Sequence, residues 1–191
     1  MKRAIFGFGG HAREILQIVP NIHKVYVDDN FNTKDTSPIS EFDPEEYEMM
    51  ICVADSQDRE KIVNKLPSET KYFSFIHPTA LLFSDVKVGE GSYIGPYCIL
   101  TENITIGSHA ILNRMNQIGH DCEVKDFLSM MPGSIISGNC SVGNKVYLGS
   151  NSSIKEKIFV CDNVTIGLNS GVVKNISESG VYGGVPVAKL K

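Results

Sequence analysis

The sequence has no excess of basic residues. Its 18 lysines and arginines are outnumbered by 22 aspartates and glutamates, which gives a net charge of −4. A surface that binds nucleic acid or an anionic membrane needs a basic patch, so the charge argues against both partners. The chain also lacks any apolar run of about 18 residues, the length that crosses a bilayer. We therefore expect no membrane partner.

The cysteines do not form a disulfide pattern. There are five of them, an odd number, and no Cys-x-x-Cys pair occurs. Reduced thiols in a cytoplasmic protein are the simplest interpretation. Cys98, Cys122 and Cys140 share one phase of the repeat described next, which is typical of small core residues rather than of a catalytic thiol.

What the sequence does contain is a six-residue repeat that runs from Val88 to Val172. Steps of six from Val88 reach fifteen positions, and all of them hold an aliphatic residue or Met. A helix repeats about every 3.6 residues and a strand every two, so neither produces this period. The pattern predicts a parallel β-helix of hexapeptide repeats. Three repeats would make one coil of eighteen residues, and neighbouring coils would stack about 4.8 Å apart.

The segment before the repeat alternates between strand and helix patterns. We predict strands at residues 2–6, 24–28, 49–54 and 72–76, helices at 12–19 and ending near 66, and a loop over 31–47. This order predicts a small α/β domain with a parallel, Rossmann-like sheet. We therefore place one domain at residues 1–77 and the β-helix, with a C-terminal tail, at residues 78–191.

A glycine-rich loop follows the first predicted strand. Gly7, Gly9 and Ala12 have the spacing of a dinucleotide fingerprint, and Asp28 and Asp29 follow the second strand. Such a loop lets the backbone approach a phosphate at the helix N-terminus. Four strands make only half of a dinucleotide fold, so a mononucleotide group fits better than NAD. The alternative is a tight strand–helix turn without a ligand.

The repeat places one histidine beside a glycine. Gly138 lies eighteen residues after His120, so the two residues should occupy neighbouring coils at one outer corner. A neutral imidazole could remove a proton from an attacking amine or hydroxyl, and the glycine N–H could stabilise an oxyanion. Asp121 could orient the imidazole, or be a solvated acid. Glu102 and Glu156 share the corner and are secondary candidates. The alternative is that His120 is simply a solvated corner residue.

Motifs along nearly the whole chain resemble those of one family. They are Phe6-Gly7-Phe8-Gly9-Gly10-His11-Ala12, Val27-Asp28-Asp29, Ile76-His77-Pro78-Thr79-Ala80, Leu112-Asn113, Gly119-His120-Asp121-Cys122, Pro132-Gly133, Ser137-Gly138-Asn139 and Gly184-Val185-Pro186. Together they resemble the nucleotide-sugar acetyltransferases of the bacillosamine-pathway N-acetyltransferase and sialic-acid O-acetyltransferase type. These proteins combine a nucleotide-binding domain with a left-handed β-helix.

The resemblance implies an activity and an assembly. The expected activity is acetyl-CoA-dependent N-acetylation of a UDP- or dTDP-linked 4-amino-4,6-dideoxy sugar, for surface glycan or O-antigen biosynthesis. The enzyme would need no metal and would work in the cytoplasm. It would be a homotrimer with active sites between chains. The alternative is O-acetylation of a sugar or sialic-acid hydroxyl, which would use the same base.

The resemblance also implies three groups of site residues. The catalytic group is His120 as general base, Asp121 beside it, and Gly138, whose N–H would face the thioester oxygen. The nucleotide sugar would be bound by Gly9, Gly10, His11, Asp28 and Asp29, and by Asn113 near His120 of a neighbouring chain. Acetyl-CoA would contact Gly138, Gly149, Ser150, Gly167, Leu168, Val185 and Pro186.

Two departures from the family pattern weaken a transfer of the exact acceptor and of one phosphate contact. Ser129 stands where some relatives carry a second histidine, and Lys189 is shifted by one residue in the C-terminal motif. Two other function classes fit the sequence less well. A γ-type carbonic anhydrase needs three zinc-binding histidines, but after His77 only His109 and His120 remain, eleven residues apart and therefore in different columns. A non-catalytic nucleotide-sugar sensor would not require His120 and Gly138 in one column.

Overall fold

The computed structural model describes all 191 residues. They form two compact units, Met1–Phe75 and Ile76–Lys191. Neither α-helix has the length and apolar character needed to span a bilayer. All five cysteines are free thiols, and Cys98, Cys122 and Cys140 are buried, as predicted.

The N-terminal unit is built on a four-stranded parallel sheet. Its elements are β1 (Lys2–Phe6), α1 (Gly10–Ile18), β2 (Ile22–Val27), β3 (Ser37–Pro38), β4 (Tyr47–Ile51) and α2 (Ser56–Lys65), with short 3-10 turns at Asp29–Phe31 and Ile39–Glu41. The strand order is β3-β2-β1-β4, and every neighbouring pair is parallel. Alternating apolar residues of the central strands form the core, with Tyr26 and Met49 fully buried.

The predicted fourth strand of this sheet was wrong. Residues 72–76 do not form it, because Tyr72 makes only an isolated bridge to Met49, and Ile76 already belongs to the second unit. The fourth strand is instead Ser37–Pro38, inside the predicted loop. A two-residue strand has no detectable periodicity, and proline is tolerated at a sheet edge because no N–H is needed on the open side.

A buried arginine fixes the loop that follows β4. The Arg59 side chain is fully buried, and its Nη1 donates hydrogen bonds to the carbonyl oxygens of Val53 (2.6 Å) and Ala54 (3.2 Å). Burial lowers the pKa of the Arg59 guanidinium to about 9, which still leaves it charged at neutral pH. The charge is tolerated because backbone oxygens surround it. Arg59 therefore holds the carboxyl end of β4 in one conformation.

Replacing Arg59 with Met should destabilise the N-terminal unit by about 3 kcal/mol, since the buried carbonyls lose their donor. Hydrogen exchange should report faster exchange for β1 and β4 amides and unchanged exchange in the β-helix. Arg13→Met is the matched control, because Arg13 lies exposed on α1; it should change stability by less than about 0.5 kcal/mol. Equal effects of the two substitutions would contradict the structural role of Arg59.

The second unit is a parallel β-helix with three faces. The first face contains Lys87–Val88, Ile104–Ile106, Cys122–Val124, Ser141–Val142 and Phe159–Val160. The second contains Tyr93–Ile94, Ile111–Leu112, Ser129–Met130, Tyr147–Leu148, Val164–Ile166, Gly180–Gly183 and Ala188–Lys189. The third contains Leu81–Leu82, Ile99–Leu100, Gln117–Ile118, Ile135–Ile136, Ser153–Ile154 and Gly171–Val172.

The register confirms the predicted coil of eighteen residues. Ile118 pairs with Ile136, and Ile136 pairs with Ile154, each eighteen residues further on. Fourteen of the fifteen ladder residues are buried, and Val88, in the first of the fifteen repeats, is half-buried. Residues eighteen apart therefore share a column, and the ladder forms the interior of the unit.

The glycines of the repeat have a different role from the expected one. Gly follows the ladder residue in several repeats, and conformational freedom at a tight corner would be the usual reason for it. The left-handed φ angles fall two residues later, at every sixth position from Tyr97 to Asn169. A Cβ at Gly119 would instead lie 2.6 Å from the Gly138 nitrogen, and one at Gly149 would lie 2.6 Å from the Leu168 nitrogen. These glycines are required because neighbouring coils stack too closely for a side chain.

Candidate active site

His120 lies at the corner between the third and first faces, just after Gln117–Ile118. Its side chain is 59% exposed, and Nδ1 lies 2.8 Å from Oδ2 of Asp121. Two hydrogen bonds hold the pKa of Asp121 below its ordinary value, and the one from Asn103 has a larger effect than the one from His120. An ionised carboxylate only accepts hydrogen bonds, so we assign the proton to Nδ1 and the free lone pair to Nε2. That is the tautomer a general base requires.

Gly138 faces the other side of the imidazole. The Asn139 N–H donates to the His120 carbonyl (2.8 Å), which places the two corners in adjacent coils. A Cβ at Gly138 would lie 2.8 Å from Nε2 of His120. The Gly138 N–H donates to no acceptor within the chain, because the ladder bonds use Ser137 and Asn139 on either side of it. An imidazole and a backbone N–H that is unused within the chain are therefore neighbours; the imidazole is exposed, whereas Gly138 itself is buried.

The two secondary candidates do not join this pair. Glu156 is exposed and forms an ion pair with Lys155 (3.4 Å). A hydrogen bond from its own backbone and, to a smaller extent, the hydrogen bond from Lys155 lower the pKa of the Glu156 carboxylate. No contact links Glu102 or Glu156 to the His120 side chain. Asp121 is therefore the only carboxylate bonded to the imidazole.

A residue missing from the sequence-based prediction contacts Asp121. The amide of Asn103 donates to Oδ1 of Asp121 over 2.7 Å. Asn103 and Asp121 also line an open cavity of about 360 Å³, together with Thr105, Cys122 and Glu123. Residues eighteen apart share a column, so this spacing could have identified Asn103, which lies eighteen residues before Asp121.

Of the residues predicted to meet acetyl-CoA, Gly138 lies beside His120 and the others lie at a different corner, together with the predicted sugar-site residue Asn113. Asn113, Gly149 and Gly167 share a column between the second and third faces, and Ser150 and Leu168 follow two of them. Asn113 is buried, and its Oδ1 accepts from the Arg114 N–H (2.9 Å). Within one chain the structure does not bring this corner to His120, because the two corners lie at opposite edges of the third face.

The same corner exposes apolar side chains. Leu168 is 70% exposed and Val185 is 76% exposed. The Val185–Pro186 peptide bond is cis, and the Val185 side chain packs beside Gly171. Isolated apolar residues are common on surfaces, but Leu168, Val185 and Pro186 were predicted together as acetyl-CoA contacts.

The predicted nucleotide-binding residues of the N-terminal unit follow strands β1 and β2. Gly9 and Gly10 begin α1 with open space around their Cα atoms, and the half-buried His11 follows them. Asp29 is exposed and accepts from the Ser40 N–H (3.0 Å). Asp28 lines a cavity at the carboxyl ends of β1, β2 and β4.

This second cavity has a volume of about 330 Å³. Besides Asp28 it is lined by Phe6, Val53 and one side of α2, namely Asp58, Lys61, Ile62 and Lys65. Lys65 lies 3.3 Å from Asp28, and Lys61 lies 2.8 Å from Asp58. The two lysines were not among the residues predicted from the sequence. The available signal was their spacing of four residues in α2, the helix that follows β4. This spacing places both side chains on one face of the helix.

Comparison with known proteins identifies the fold. No protein-family model matches the chain. A variant of perosamine N-acetyltransferase from Caulobacter crescentus, with one histidine replaced by asparagine and with CoA and GDP-perosamine bound, covers 100% of this chain and 97% of its own, with a TM-score of 0.89 and 21% identity. WeeI from Acinetobacter baumannii covers 98% and 99%, with a TM-score of 0.88 and 23% identity. The chain therefore has the fold of these proteins.

A sequence relative carries the same type of name. GDP-perosamine N-acetyltransferase from Escherichia coli is 23% identical over 172 residues, which span 81% of this chain and 78% of the relative. The resemblance to nucleotide-sugar acetyltransferases that the motifs indicated is thus confirmed.

Proposed function

We propose that the protein is an acetyl-CoA-dependent N-acetyltransferase that acts on a nucleotide-linked amino sugar. The observation that carries the proposal is the exposed corner at which Nε2 of His120 faces Gly138 while Asp121 holds Nδ1. The relatives support it, because their names specify N-acetylation of GDP-perosamine and one was solved with CoA.

The proposed reaction is acyl transfer with one base. The neutral amine of the sugar attacks the thioester carbonyl, and a C–N bond forms as the amine loses a proton to Nε2 of His120. The Gly138 N–H donates to the oxyanion of the tetrahedral intermediate. Collapse breaks the C–S bond, and the departing thiolate takes the proton from the imidazolium. Asp121 stabilises the imidazolium between these steps.

We infer that a complete site needs more than one chain. His120 and the column of Asn113, Gly149 and Gly167 lie at different corners of one β-helix, so a ligand that touches both must bridge two copies. The homotrimer of left-handed β-helices that the resemblance implies would place corners of different copies next to each other. Acetyl-CoA would then place its apolar arm against Leu168 and its thioester near Gly138.

We infer that the N-terminal unit is a Rossmann-like half-domain that binds the nucleotide. Its strand order, β3-β2-β1-β4, matches that of a mononucleotide-binding half, and such sheets bind ligands beyond the carboxyl ends of their strands. The cavity beside Asp28 lies at those ends, and Lys61 and Lys65 supply positive charge for phosphate. The sequence suggested UDP or dTDP, and the GDP-sugar of the relatives adds a third candidate.

We place this reaction in the cytoplasm, in the biosynthesis of a surface glycan or O-antigen. Free thiols fit a reducing compartment. Nucleotide-linked sugars are activated donors, so acetylation at this stage would precede transfer of the sugar to a glycan.

Incubation with acetyl-CoA and a panel of GDP-, UDP- and dTDP-linked amino sugars should release one free thiol per acetylated amine. The expected result is turnover with one or a few members, detected with a thiol reagent and confirmed by a mass increase of one acetyl group. The matching hydroxy sugars are the control. Turnover of a sialic acid or hydroxy sugar, with none of any amine, would replace this function with O-acetylation.

A further inference from the structure

We propose that Asn103 is a positioning residue for the base, acting through Asp121. This inference rests on the proposed function of His120. It assigns a role to a side chain one coil away from the imidazole, which touches neither the imidazole nor Gly138.

The geometry is a chain of two hydrogen bonds. Nδ2 of Asn103 donates to Oδ1 of Asp121 over 2.7 Å, and the other oxygen, Oδ2, lies 2.8 Å from Nδ1 of His120. The two bonds use one oxygen each, so they fix the plane of the carboxylate. Because Asp121 can only accept as an anion, Asn103 must present its NH₂ group and not its carbonyl.

Asp121 needs such support because of where it lies. Its side chain is 48% exposed at an outer corner, and apart from His120 and Asn103 no side chain bonds to it. A carboxylate held only by the imidazole could rotate into solvent. The second bond removes that freedom, and it also stabilises the anion that pairs with the imidazolium.

Asn103 itself is held by the previous coil. Its N–H donates to Oδ2 of Asp85 over 2.8 Å, and its φ of 54° is in the left-handed region, where Asn is favoured. Asp85, Asn103 and Asp121 therefore form one column with alternating acceptor, donor and acceptor side chains. The lower pKa of Asp121, for which the Asn103 bond is the largest cause, agrees with this arrangement.

The test is Asn103→Ala together with Asn103→Asp. The aspartate keeps the size and the tolerance of the left-handed turn but replaces the donor with an acceptor. Both variants should lower kcat by roughly five- to thirtyfold, with little change in KM, as expected for the loss of one hydrogen bond to a charged group. Asn163→Ala is the matched control: Asn163 has a φ of 58° and an exposed side chain at a corner remote from His120. It should leave kcat unchanged.

Two readouts separate positioning from a structural role. In the Asp121→Asn background, Asn103→Ala should cause no further loss, because residues that act through one contact are not additive. In the resting enzyme, ¹⁵N NMR should show His120 mainly protonated at Nδ1, with the other tautomer growing in both Asn103 variants. Additive losses, or an Asn103→Asp variant with wild-type kcat and wild-type tautomer, would overturn the proposal.

The NMR readout needs no substrate. A tautomer shift without turnover of any amino sugar would retain the role of Asn103 and reject the proposed function. If turnover and the tautomer were both unchanged in Asn103→Asp, the proposed function would be retained and the role of Asn103 would be rejected.

Discussion

Replacing His120 with alanine should lower kcat by roughly 10²- to 10⁴-fold, the usual contribution of a positioned general base. The three heavy atoms nearest to a Cβ built at Gly138 all belong to the His120 imidazole, with Nε2 the closest, so we expect no neighbouring group to replace it. Affinity for the nucleotide sugar and for CoA should change little, because the imidazole acts on the proton that leaves during the reaction. Single-turnover rates and calorimetric binding would measure the two effects separately.

His23→Ala provides the control for this experiment. His23 lies exposed on β2 and has no role in the proposed chemistry. A rate within twofold of wild type is expected for His23→Ala. A near-normal rate for His120→Ala would remove His120 as the base and leave the corner without a catalyst.

Asp121 should contribute no ionisation to the acidic limb of the wild-type kcat/KM pH profile. Its pKa lies below the ordinary value of 3.8, so the carboxylate stays charged throughout the range in which a histidine titrates. In an Asp121→Asn variant, the number of ionisations on this limb should be unchanged, with a lower plateau.

The sequence was sufficient to predict the β-helix and the contact between His120 and Gly138. A strict six-residue period allows only one register for the stacked coils. The members of each column are then found by adding eighteen to a residue number. That is why a contact between residues far apart in the chain could be derived without coordinates. The identity of Asn103 was available by the same addition, but an asparagine at a turn has a sufficient local explanation, which concealed its bond to Asp121.

The N-terminal unit was harder to predict because its contacts have no period. The edge strand Ser37–Pro38 is too short to show a pattern, and residues 72–76 have a strand-like pattern although only Phe75 and Ile76 are in a strand. Arg59 reads as one more charged residue of an amphipathic helix, yet it is completely buried. Its role depends on how the loop after β4 turns back, which only the tertiary structure specifies.

Gly138→Ala should lower kcat by roughly 10²-fold or more while leaving the melting temperature nearly unchanged. The added methyl group would lie 2.8 Å from Nε2 and 2.9 Å from Cε1 of His120, so the imidazole has to move. The ring is exposed and can rotate away at little cost in stability. The displaced base no longer faces the backbone donor, and the loss should therefore resemble removal of an oxyanion-hole group.

Gly143→Ala separates this effect from a general defect in coil stacking. A Cβ at Gly143 would lie 2.6 Å from the backbone nitrogen of Asp162, which cannot rotate away, at a corner remote from His120. This variant should lose about 1–3 kcal/mol of stability but retain the kcat of its folded fraction. The opposite pattern, a destabilised Gly138→Ala with normal kcat, would mean that Gly138 is needed only for stacking. The glycine beside the imidazole would then be a packing residue like the other glycines of the repeat, and its N–H would have no part in catalysis.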